Sequence, residues 1–126
     1  MSYRARWSGQ LFEAALEQRE DGVWVRLLSD VPAQGFVALE ADRHVRAVPA
    51  AECESVEFVT VVCRWRDEPF LVYGEREGEL LLQYTGARVT VARRLGLERA
   101  ERGVWRRWVA AAEIEGLHER AALLDL

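Results

Sequence analysis

The chain has 126 residues, half of them hydrophobic and 30% charged, which excludes a disordered chain and leaves room for one domain or two very small ones. All seventeen basic residues are Arg, and twenty-one carboxylates give a net charge of −4. An acidic surplus argues against a nucleic-acid binder, whose affinity comes largely from neutralising phosphates, and suits a positively charged partner. Missing Lys and Asn, a single Ile114 and abundant Ala, Val, Leu and Arg point to GC-rich coding of the actinobacterial kind.

"MSYRARWSGQ" has early positive charge without the apolar core of a secretory signal. No apolar run approaches the roughly 18 residues of a membrane helix. These features lead us to expect a cytoplasmic protein without membrane contact. Cys53 and Cys63 are then expected as reduced, buried thiols.

In chain order, "RWSGQLFEA" begins at Arg6, and the hairpin tip "EDG" at 20–22 leads into a strand with Val23, Val25 and Leu27 on one face. A loop follows at 29–35, then a short strand "FVALE" at 36–40. "RAVPAAECESV" (46–56) reads as strand, tight turn and strand, because the residue before Pro49 is pushed to extended geometry and Pro49 suits the start of a helical turn. Glu52 then lies in the turn, and Cys53 and Val56 return to the core.

The same order of elements recurs. "RWRDEPFLV" repeats Arg6, Trp7 and Phe12 as Arg64, Trp65 and Phe70. "EGELLLQY" (77–84) repeats "EDGVWVRL" (20–27), with Leu80, Leu82 and Tyr84 on one face. "RLGLE" (94–98) stands for "FVALE", with extra residues around "RAERG". "RWVAAAEIEGL" (107–117) repeats the closing phrase, with Glu113 in the turn and Ile114 and Leu117 returning to the core. Ordered recurrence predicts a duplicated unit. In "ECESVEFVTVVCRWR", alternation puts Val59, Val61, Cys63 and Trp65 on one strand face, so one strand ends the first unit and opens the second, and the two are expected to pack together. Leu117, Ala121 and Leu124 are spaced for a helix face, leaving the C-terminal segment open between helix and strand.

A strand, a long hairpin, two short strands, a "VP-x-x-E" turn and a last strand resemble the Src-homology-3 (SH3) type of barrel. That resemblance implies an all-β protein of two tandem small five-stranded SH3-like barrels, at 1–58 and 59–126. The acidic-aromatic cluster and paired Trp of the peptide-binding members are not intact here, so proline-motif binding does not carry over.

Chemistry is sparse. His44 and His118 read as surface residues, Ser2, Ser8, Ser29 and Ser55 lie in no nucleophile motif, and the two Cys lack zinc spacing. No phosphate loop or dinucleotide fingerprint is present. These signals predict a protein that is not an enzyme and carries no metal and no cofactor. The acidic loop residues Glu17, Glu20, Asp21, Asp30, Glu75, Glu77 and Glu79, with Trp24 as an aromatic anchor, are the candidate partner-binding set. The leading expectation is a non-catalytic module binding a basic protein, in its narrowest form an immunity or antitoxin protein that inhibits a basic toxin. The overall look also resembles small uncharacterised actinobacterial proteins. The nucleic-acid alternative uses the Arg-rich segment 88–107, with Arg88, Arg93, Arg94 and Arg106 on phosphate and Trp105 stacking a base. Further alternatives are a structural assembly subunit and a small-molecule sensor with a pocket between the barrels.

Overall fold

The computed structural model describes residues 1–126 and is all-β, with antiparallel strands throughout. The chain divides into two compact units: residues 1–59 with 121–126, and residues 60–120.

Unit 1 contains β1 (Ser2–Trp7), β2 (Gln10–Arg19), β3 (Gly22–Ser29), β4 (Val37–Glu40), β5 (Arg43–Pro49), a 3-10 turn at Ala50–Glu52, and the first half of β6 (Ser55–Trp65). Its strands are ordered β4-β5-β3-β2-β1-β6. Ser8 and Gly9, both at positive φ, close β1 onto β2, the two-residue geometry that matches strand twist. Ala5, Phe12, Ala14, Val25, Leu27, Val48 and Val56 form the core.

Unit 2 takes the second half of β6, then β7 (Glu68–Arg76), β8 (Glu79–Tyr84), helix α1 (Val89–Arg94), β9 (Glu98–Glu101), β10 (Val104–Ala110) and a 3-10 turn at Ala111–Glu113. Its order is β6-β7-β8-β10-β9. Cys63, Trp65, Phe70, Leu82, Tyr84, Val109 and the helix side form its core. On β6, Cys63 and Trp65 are buried as expected and Val61 is half-buried, whereas the buried unit 1 residue Val56 lies at the opposite parity.

The two units repeat in detail. Arg46 donates from its guanidinium to the Gln34 carbonyl at 3.2 Å and lies 4.5 Å above the Trp7 ring. Arg107 donates to the Leu95 carbonyl at 2.7 Å and lies 5.5 Å from the Trp65 ring. In both units the accepting residue precedes a glycine at positive φ, Gly35 or Gly96, where an added Cβ would meet that same guanidinium. The closing turns match too: Cys53 donates to Ala50 at 3.0 Å, and Ile114 donates to Ala111 at 3.2 Å. Pro49 and Ala110 hold nearly the same backbone angles just before these turns, so Pro49 ends β5 rather than opening the helical turn.

One open question is decided, and the expectations for Leu117 and for the extra residues of the second copy are corrected. The C-terminal segment is a strand, β11 (Glu115–Leu123), and not a helix, because β6 supplies its partners: Leu124 N–H donates to Val56 O at 2.8 Å. Leu117 is consequently exposed instead of returning to the core. The extra residues of the second copy form α1 rather than enlarging the loop at "RAERG". Strand register therefore pairs Gln34–Phe36 with Leu95–Leu97, and sets Leu27 against Leu82 rather than Tyr84.

Candidate binding site

The shared arrangement lets each unit be compared with the other position by position. In unit 1 the register sets Ser29 opposite His44, and Leu28 opposite Val45. In unit 2 the matching positions are Tyr84 and Trp105, as Arg106 opposite Gln83 fixes the phase. Tyr84 is in the core and Trp105 packs against it. Helix α1 adds Val91, Ala92 and Leu95 to the same core. Its start is tied down by Arg88, which donates to the nearly buried Glu68 carboxylate at 2.9 Å.

Unit 1 has neither the helix nor the two large rings. It has instead a cavity of about 470 Å³ lined by residues of β2, β3, β4, β5 and their loops. Leu11 and Glu13 come from the β2 face turned away from the core, and Phe12 from the face turned toward it. The walls also include Leu28, Val31 and Leu39, with the charged Asp30, Asp42, Arg43 and the imidazole of His44. Leu11, Val31 and Leu39 are 45%, 57% and 52% exposed, an unusual concentration of wet apolar surface around one opening. Three carboxylates against one guanidinium make the lining acidic. His44 is only 8% exposed, which corrects the expectation of a surface histidine, and its Nδ1 is buried without a hydrogen-bond partner. Buried polar atoms without partners are uncommon, since each loses its hydration for nothing.

The residues singled out from the sequence are dispersed. Asp30 lines the cavity. Glu17 pairs with Arg19 at 2.9 Å, and Glu20 lies exposed at the β2–β3 tip. Trp24 is half-buried and not a bare anchor: its indole N–H donates to Asp21 Oδ1 at 2.9 Å, and Arg19 covers its ring at 4.1 Å. In unit 2, Glu75 and Glu77 are exposed, while Glu79 pairs with Arg76 at 2.8 Å. Of the Arg-rich set, Arg88 is engaged by Glu68, and Arg106 donates to Gln83 at 2.9 Å with Tyr73 3.7 Å below it. Arg93 and Arg94 are exposed at the end of α1, and Trp105 is half-buried against the core rather than free to stack on a base.

Sequence reading missed Leu11, Glu13, Leu39, Asp42 and His44 as neighbours. The available signal was the contrast between His44 and Trp105 at matching positions of the repeat. No three His, Cys, Asp or Glu side chains are grouped to hold a metal ion. Cys53 and Cys63 are free thiols, and burial pushes both above the usual thiol range, with Glu52 adding to the shift at Cys53. No helix is long and apolar enough to cross a membrane.

The geometry thus defines an all-β chain of two similarly built units; the region beside Tyr84 and Trp105 is packed in unit 2, and its counterpart in unit 1 is an acidic, partly apolar cavity, while unit 2 has a separate, Arg-lined cavity of about 640 Å³ beside Arg76, Arg99 and Trp108. Residues 5–125 match the family model described as "Uncharacterised conserved protein UCP033725", and the chain belongs to that family. Neither the curated proteins nor the solved structures yielded a match.

Proposed function

We propose that this chain is a non-catalytic binding module of two tandem SH3-like units that recognises a basic protein through unit 1. The observation that carries the reading is the division of charge. Unit 1 holds eleven carboxylates against six Arg, a net −5, and unit 2 holds ten against eleven, a net +1. A surface of one sign speeds encounter with an oppositely charged partner and rejects like-charged ones. Exposed apolar side chains beside those carboxylates supply the desolvated contact that charge alone does not. An immunity-type inhibitor of a basic toxin is the narrowest form of this reading. The engagement of Arg88 and Arg106 inside unit 2 weighs against the nucleic-acid alternative.

The test is recovery of partners by the tagged full chain from native lysate at low and high salt, with protein and nucleic acid both identified. The proposal expects a basic protein that is retained at low salt and weakened at high salt, and weakened again when Glu13, Asp30 and Asp42 are neutralised together. Nucleic acid as the retained species, or a protein insensitive to those three changes, contradicts it.

A further inference from the structure

We infer that the unit 1 cavity is a binding site for an organic cation, a guanidinium or ammonium group on a short apolar stem. This goes beyond the protein-partner reading, because a free cation suffices to occupy the site.

Three observations converge. The first is size: about 470 Å³ lies in the range of roughly 300–1,000 Å³ typical of small-ligand pockets. The second is the lining. Glu13, Asp30 and Asp42 outnumber Arg43, so the field favours a positive head, while Leu11, Leu28, Val31 and Leu39 offer apolar contact to a stem. The third is His44. It is the buried polar member of the wall, and its Nδ1 has no partner in the protein. The imidazole thus brings a hydrogen-bonding nitrogen that the protein itself does not use to the wall of the cavity.

The second unit shows that the space is not required by the fold. There, Tyr84 and Trp105 stand where Ser29 and His44 stand in unit 1, and α1 completes the packing. A chain that closes this region in one unit and leaves it open, acid-lined and beside an imidazole with an unpartnered Nδ1 in the other has the layout of a binding site.

The experiment is titration calorimetry of the full chain with n-butylguanidinium, with n-pentanol as a neutral probe of similar length, and with an acetylated, amidated Gly-Arg-Gly tripeptide. Saturable binding of the guanidinium without binding of the alcohol is expected. Tighter binding of the tripeptide assigns the source of the cation to a protein side chain, and tighter binding of the free guanidinium assigns it to a small molecule. Asp30→Asn and Asp42→Asn should each weaken binding about two- to fivefold, the range for a solvent-exposed charge pair. His44→Trp, which supplies the side chain used in unit 2, should abolish it. Absence of saturable binding by both cations, equal binding of the alcohol, or full affinity in both Asn variants overturns the assignment. If His44→Trp does not fold, the two Asn variants decide.

Discussion

Units 1 and 2 are built on one plan and finish it differently. Each holds a Trp, half-buried Trp7 or buried Trp65, beneath an Arg that donates to the carbonyl before a positive-φ glycine. Each closes through an Ala-Ala-Glu turn into its last strand. Unit 2 then inserts a helix and two large rings into the region where unit 1 leaves a cavity beside His44. The shared features carry the fold, so the features that differ are where function is to be sought. The surplus negative charge is confined to unit 1, the unit whose cavity lies beside His44.

The largest expected effect tests whether the two cores are equivalent. Leu27 and Leu82 occupy matching, fully buried positions. Leu27→Ala and Leu82→Ala should each cost about 2–5 kcal/mol, the range for truncating a core leucine, measured by denaturant unfolding. A loss in one unit with none in the other would break the equivalence. Next come the clamps: Arg46→Ala and Arg107→Ala each remove a charge-assisted hydrogen bond and a guanidinium–indole contact. A similar loss of about 1–2 kcal/mol is expected from each.

The third effect belongs to unit 2 alone. Arg88→Ala leaves the Glu68 carboxylate nearly buried without its cation. Because the Arg88 side chain is itself largely exposed, the loss should stay near 1 kcal/mol. Glu68→Gln in that background should recover part of it. The smallest effect is shared. Burial raises the Cys53 and Cys63 thiols, so folding favours their neutral forms. The associated stability is complete below the unfolded thiol value, about pH 8.5, and is lost as pH rises through the folded values. Unfolding midpoints should therefore decline slightly on the alkaline side, and Cys63→Ser and Cys53→Ser should flatten that decline.

Much of the plan was legible because it is local. The alternation of Val25 and Leu27, the matched dipeptides Arg6-Trp7 and Arg64-Trp65 and the repeated Ala-Ala-Glu phrase are short-range signals, and each marks an element that forms. What escaped depends on tertiary partners. The spacing of Leu117, Ala121 and Leu124 fits a helix face, but β6 offers an open edge and draws the segment into a strand. "VTVARR" gives little helical signal with two β-branched valines and a threonine, and forms α1 because Val91 and Ala92 have a core to fill. The cavity joins Leu11, Asp30, Leu39 and His44 across four segments, a neighbourhood that no local pattern encodes. Trp24 misled for the opposite reason: alternation placed it outward, but Arg19 and Asp21 next to it in the hairpin cover it.

The claim that the two copies have divided their work is tested most directly by mapping amide resonances of the isotopically labelled full chain during titration with n-butylguanidinium. Shifts that saturate and are confined to residues 10–13, 28–31 and 39–44, with unit 2 unmoved, are the expected result. Equal shifts around Tyr84 and Trp105, or none in either unit, would contradict it.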